Sequence, residues 1–148
     1  MAARAIGVDA GGTLVKVAYE TDRGEIRTLK MRSDRLDEAA ERIRGLTGND
    51  SGSCRIALAG GKAEALRGKL GLAARVVPEF EATCAGVRWL LKRHGDNRPK
   101  FLLTNVGTGT SIHAVDEHGH VRLGGTGIGG GTLLGLSAML TGVRDFDE

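Results

Sequence analysis

Asp9-Ala-Gly-Gly-Thr13-Leu-Val-Lys16 and, 96 residues further on, Asn105-Val-Gly-Thr-Gly-Thr-Ser111 are the two stretches whose reading decides the fold. Each follows an apolar strand-like run, Ile6-Gly7-Val8 in the first case and Phe101 to Asn105 in the second. Each leads into a second strand, Leu14 to Tyr19 containing Lys16 and Ile112 to Val115 containing His113. A glycine turn then opens a third strand: Asp22-Arg23-Gly24 before Ile26 to Leu29, and Asp116 to His120 before Val121 to Leu123. The two copies stay in step with one residue of slack at the turn, and duplication on this scale implies two similar lobes. Glycine turns of this kind free backbone N–H groups to bind anions, and a pair of them is what is needed to grip a polyphosphate from both sides. Two ordinary hairpins are the plainer reading of either loop alone, and the fixed offset argues against it.

Working outward, Leu36, Ala39, Ala40, Ile43 and Leu46 recur at helical spacing from Asp34 to a stop at Gly48. Asn49 to Ser53 reads as a loop, Arg55 to Ala59 as a strand ending in Gly60-Gly61, Ala63 to Leu70 as a short helix and Ala74 to Val77 as a strand. Pro78 suits the first turn of a helix that carries Ala82, Ala85, Trp89 and Leu90 and stops at Gly95, with Trp89 expected in the core. After Leu123 comes the glycine-rich run Gly124 to Gly131, then a helix from about Thr132 to Thr141.

The chain has 148 residues, 41% of them hydrophobic, enough for one ordinary globular core. Glycine, at 24 residues, is the compositional outlier, and its clusters are flanked by apolar runs, which argues for tight loops rather than a flexible linker. The net charge of +3 invites a nucleic-acid partner, but the cations are scattered among acids and aromatics make up only 3%, so that reading is discounted. No apolar stretch approaches the ~20 residues of a membrane span and no secretory signal opens the chain, so a soluble, cytoplasmic protein without a membrane partner is expected. Cys54 and Cys84 lie far apart without metal-ligand spacing and are expected as buried, reduced thiols. His94, His113, His118 and His120 show no ligand spacing either and read as surface or strand residues.

Asp9 to Lys16, Glu79-Phe-Glu-Ala-Thr83, Asn105 to Ser111 and Arg122 through Gly131-Thr-Leu-Leu-Gly-Leu136 resemble, in order, the motifs of the type II pantothenate kinases. The run Gly124-Gly-Thr-Gly-Ile-Gly-Gly-Gly131 after an arginine is the most specific of them. That family belongs to the superfamily of actin, the sugar kinases and the heat-shock ATPases. The resemblance implies an α/β fold of duplicated actin-like (ribonuclease H-like) lobes, the first complete and the second only begun. The expected division is an N-terminal lobe over residues 1–97 and the start of a C-terminal lobe over 98–148. It further implies ATP-dependent phosphorylation of pantothenate to 4′-phosphopantothenate, the opening step toward coenzyme A, with Mg²⁺, with coenzyme A esters as inhibitors and with a homodimeric full-length protein.

Phosphoryl transfer to an alcohol needs phosphate neutralisation, Mg²⁺ and a carboxylate to take the hydroxyl proton. Asp9, at the mouth of the first strand, is the candidate Mg²⁺ residue through water, or else an Asx-type turn residue before Gly11 and Gly12. Ala10, Gly11, Gly12, Thr13, Leu14 and Val15 line the first nucleotide loop, and Lys16 either reaches the β- or γ-phosphate or is a solvated strand lysine. Gly107, Thr108 and Gly109 form the opposing loop, with Thr110 and Ser111 adding hydroxyls to phosphate or to their own backbone. Glu79 follows Pro78 at a helix start, where the helix dipole favours negative charge. Composition alone makes it a helix-stabilising first-turn residue, and the resemblance makes it the catalytic base. Arg122, read as ending its strand, either pairs with the acceptor carboxylate or moving phosphoryl group or is a surface arginine. Gly130, Gly131, Thr132, Leu133 and Leu134 at the last helix start are expected to face the nucleotide, and Phe146 aligns with an aromatic position near it.

Two other readings stand beside this one. A non-catalytic nucleotide- or coenzyme A-binding regulatory module keeps the glycine loops but has no use for Glu79. Another sugar-kinase-like ATPase of the superfamily shares only the phosphate loops. Family chains continue for roughly another hundred residues, about one lobe. On that reading the present chain lacks most of the adenine pocket and, taken alone, is a poor kinase that self-associates.

Overall fold

Ile6, Val8 and Ala10 are buried along β1 (Ala3–Ala10), with Gly7 and Asp9 between them on the other face. The same alternation buries Val15 and Val17 of β2 (Leu14–Thr21) and leaves Lys16 outside. The computed structural model describes residues 3–48 and 54–143, so the expected Asn49 to Ser53 loop and Phe146 lie outside the described residues. The chain divides into two compact units, Met1–Ala82 and Thr83–Glu148.

In the first unit β1, β2 and β3 (Ile26–Arg32) form an antiparallel meander, and β4 (Arg55–Ala59) and β5 (Arg75–Val76) add in parallel, giving the order β3-β2-β1-β4-β5. Helices α1 (Leu36–Thr47) and α2 (Ala63–Leu70) supply the connections that parallel neighbours require. Their apolar stripes, Ala39, Ala40 and Ile43 from one and Ala63, Leu66 and Leu70 from the other, join Ile6, Val8, Val15, Val17 and Leu58 in a single core. Burying these aliphatic side chains is the main stabilising term of the unit, about 1.5–3 kcal/mol for each of the large ones.

The second unit repeats the meander. Strands β6 (Phe101–Val106), β7 (Thr110–Asp116) and β8 (Gly119–Thr126) form a three-stranded antiparallel sheet in that order. Helix α3 (Glu79–Arg93) enters from the first unit, and α4 (Gly130–Thr141) follows β8. Cys84 of α3 and Ser111, His113 and Val115 of β7 are buried.

The element types agree with those read from the sequence, and the differences have physical causes. The strands run further than their apolar cores suggested, because ladder hydrogen bonding carries polar and glycine residues along with it. Thus Gly124, Gly125 and Thr126 are strand, paired with Ile112, Ser111 and Thr110, and Arg122 sits within β8 rather than at its end. Helix α4 begins at Gly130, two residues earlier than expected. Trp89 is not in the core: it is 48% exposed, with the Arg93 guanidinium 5.3 Å from its ring centre. Helix α4 has no buried residue, and Met139 and Leu140 are 84% and 82% exposed.

Candidate functional site

In the first unit the site is the turn between β1 and β2. Asp9 and Lys16 are directly opposite in the ladder, on the face away from the core, and Lys16 Nζ donates to Asp9 Oδ2 at 3.2 Å. The turn is closed by the Gly11 N–H on the Leu14 carbonyl at 3.0 Å. Two residues that sequence reasoning passed over hold it from behind. The Ser33 N–H bonds the Thr13 carbonyl and its hydroxyl bonds the Gly12 carbonyl. Lys62 gives its N–H to Ala10 O at 2.9 Å and its ammonium to Ser33 O and Oγ, both at 3.0 Å. The one visible signal was the Gly60-Gly61 pair. Gly60 has φ +93°, and a Cβ there would stand 2.6 Å from Ala10 O and 2.8 Å from Asp9 Oδ1, so only glycine lets β4 end against the loop.

Gly11, Gly12, Thr13 and Leu14 therefore line a braced turn with Asp9 and Lys16 at its mouth, whereas the Ala10 side chain is fully buried in the core and only its carbonyl, which accepts from Lys62, belongs to the turn. Val15 does not present its side chain there. It is fully buried in the core, and only its backbone belongs to the turn region.

In the second unit the corresponding turn is Gly107-Thr108-Gly109. The Gly107 N–H bonds Gly109 O and the Gly130 N–H bonds Gly107 O, both at 2.8 Å, so the turn is tied to the first residue of α4. Thr110 Oγ1 donates to Ile128 O at 2.7 Å, which spends that hydroxyl on the glycine run. A Cβ on Gly129 would fall on the Thr108 carbonyl and the Gly107 oxygen, which is the physical reason for glycine at that point of the run. Gly129 serves as N-cap with no side-chain cap, and with the Leu133 N–H bonded to Gly129 O at 3.0 Å the N–H groups of Gly131 and Thr132 are presented in the way helix N-termini present them to anions. Thr108, Gly131, Thr132 and Leu133 are exposed and Leu134 is half-buried. Ser111 differs from expectation: it lies within β7, 7% exposed, and its side chain is buried on the face that carries His113.

Glu79 is the first residue of α3 and is exposed. Arg122 is exposed on β8 opposite His113, and its guanidinium folds back over Gly125, where an added Cβ would meet Nη2 at 2.7 Å.

A second cluster was invisible in the sequence spacing. Cys84 of α3, His113 of β7 and His120 of β8 bring their ligand-type atoms within 4.8 Å of one another. His113 is a strand residue, as read, and is fully buried there, with its ring centre 5.2 Å from that of His120. Burial, with His120 and Arg122 adding to it, pushes the His113 pKa below the usual imidazole value, so the neutral ring is favoured. Burial pushes the Cys84 thiol up, partly offset by the Arg88 guanidinium. Cys54 is likewise a buried free thiol raised by desolvation.

The sheet order of the first unit and the repeated meander place the protein in the actin-like ATPase and sugar-kinase fold class. Among solved structures of similar fold, component A of the (R)-2-hydroxyglutaryl-CoA dehydratase of Acidaminococcus fermentans matches 94% of this chain and 54% of its own, with TM-score 0.64 and 16% identity. The activator of the 2-hydroxyisocaproyl-CoA dehydratase of Clostridium difficile, solved with bound ADPNP, matches 94% of this chain and 52% of its own, with TM-score 0.60 and 16% identity. The family model named Fumble matches residues 20–148, and the chain belongs to that family. It is 41% identical over 145 residues to the type II pantothenate kinase of Bacillus anthracis, covering 97% of this chain and 51% of that protein. The chain thus spans about half the length of the curated relatives it matches.

Proposed function

We propose that this chain supplies the phosphate-handling and catalytic residues of an ATP-dependent kinase that phosphorylates pantothenate to 4′-phosphopantothenate. The observation that carries the reading is the braced Gly11–Thr13 turn with the opposed Asp9 and Lys16 at its mouth, in a chain 41% identical to a type II pantothenate kinase. The donor set fits Mg²⁺-ATP: one exposed carboxylate suits an ion that keeps several waters, and the neighbouring ammonium suits phosphate. When bound, Mg²⁺-ATP supplies the phosphoryl group and a charge that offsets its negative oxygens.

The chain's own residues then divide the work. Asp9 would hold the hydrated Mg²⁺, and Lys16, now paired with the Asp9 carboxylate, would neutralise phosphate oxygens. The Gly107–Gly109 turn and the start of α4 offer backbone N–H groups to phosphate without the desolvation cost of further charged side chains. Glu79 takes the acceptor hydroxyl proton, and Arg122 binds the acceptor carboxylate through its planar fork. Coenzyme A esters as inhibitors, homodimerisation of the full-length protein and a cytoplasmic location belong to the same proposal. Among the described residues, no helix is long and apolar enough to cross a membrane.

The test is ADP release by the full-length protein with pantothenate, glucose, N-acetylglucosamine or acetate as acceptor. Pantothenate-dependent turnover is expected, and Glu79→Gln should lower kcat by about 10²–10⁴ with nucleotide binding retained. Turnover with a sugar or acetate but not pantothenate would overturn the substrate, and undiminished activity of Glu79→Gln would remove the base.

A further inference from the structure

We propose that Cys84, His113 and His120 form a three-ligand site for Zn²⁺ that fastens α3 to the β7–β8 hairpin. The juxtaposition follows from the pleat. His113 and Val115 share one face of β7, Val115 stands opposite His120 on β8, and His113 and His120 are therefore diagonal neighbours on that face. Helix α3 brings Cys84 to the same face, and Arg88, one turn on, holds its guanidinium 6.0 Å from the centre of the Phe101 ring in β6. The ligand atoms, within 4.8 Å of one another, need to close to the roughly 3.4–3.6 Å set by tetrahedral Zn–S and Zn–N bonds. That difference is the distance that side-chain rotations of one cysteine and two histidines would have to cover on binding.

The donor chemistry selects the ion. One thiolate and two imidazoles suit a borderline-soft cation, and no carboxylate is in the cluster to favour Mg²⁺ or Ca²⁺. On binding, the Cys84 S–H bond breaks as the Zn–S bond forms, and the proton leaves to solvent. Cys84 and His113 are buried, while His120 is half-buried and borders a hollow of about 590 Å³ lined also by Lys100, Phe101 and Asp116, which gives the ion an entry path. The fourth position is left to water on that side. Arg88 and Arg122 oppose the positive charge, and the thiolate offsets one unit of it.

The proposal does not depend on the kinase reading, and the test needs no turnover. The purified chain is stripped with chelator, titrated with Zn²⁺ and separately with Co²⁺, and its metal content is measured after gel filtration. One Zn²⁺ per chain and a thiolate-to-cobalt charge-transfer band are expected. Cys84→Ala should abolish the band. His120→Ala, at a half-exposed position where unfolding is not expected, should weaken Zn²⁺ by more than about tenfold with an unchanged circular dichroism spectrum. His118→Ala, exposed and outside the cluster, should bind as the parent does. Failure to retain Zn²⁺, a Co²⁺ spectrum without thiolate charge transfer, or undiminished binding by Cys84→Ala or His120→Ala would overturn it.

Discussion

Replacing Gly60 by alanine separates the two reasons a glycine can be required. At φ +93° an L side chain is strained by about 1–2 kcal/mol. The new Cβ also stands 2.6 Å from Ala10 O, 2.8 Å from Ala10 C and 2.8 Å from Asp9 Oδ1, well inside van der Waals contact. Two of these partners are backbone atoms of β1, a strand paired on both sides, so they yield only by displacing the sheet, at an overpacking cost of about 1–3 kcal/mol. Together the loss is about 2–5 kcal/mol, a large part of the ~5–15 kcal/mol that holds a typical domain. Gly71 supplies the control, with φ +64° and nothing within 4 Å of an added Cβ, so Gly71→Ala carries the conformational term alone. Gly61→Ala, with open space and no positive φ, should be close to neutral. Urea unfolding of the three variants, followed by circular dichroism, reads the ranking directly. If Gly60→Ala and Gly71→Ala lose the same stability, the close approach of β4 to the Asp9 turn is not a packing constraint and the reasoning fails.

Two further outcomes follow from the same geometry. Lys16→Met removes a pair that is largely exposed on both sides, so thermal stability should fall by less than about 1 kcal/mol, whereas ATP affinity of the full-length protein should fall about 10- to 100-fold from the loss of a charge-assisted contact; equal ATP affinity would remove Lys16 from the site. Met139 and Leu140 stand 84% and 82% exposed on a helix with no buried residue, so Met139→Glu with Leu140→Lys should shift the chain from oligomer toward monomer in sedimentation, and an unchanged distribution would show that this face does not drive association.

Much of this protein was legible in one dimension because its local rules and its fold agree. The repeat of strand, small-residue turn, strand and glycine turn is periodic in sequence, and both copies fold as three-stranded meanders. Helix stops at Gly48 and Gly95 were marked by the residue type that accepts positive φ, and both of these glycines have it. Asp9 and Lys16 were each assigned to the first loop from the sequence, and the tight turn fixes the register that sets them opposite one another. What lay beyond the sequence depended on contacts between segments with no fixed offset. Ser33 and Lys62 brace the first turn only once β3 and the start of α2 have been brought beside it. Gly124 to Thr126 became strand because β7 offers them a ladder, although their own propensity favours a loop. Cys84, His113 and His120 have no ligand spacing, and they meet because the pleat sets the two imidazoles diagonally and a helix arriving from elsewhere in the chain adds the thiol. Turn chemistry and hydrophobic period act over a few residues and are written in the sequence; packing acts across the fold, and it alone decided which distant side chains share a site.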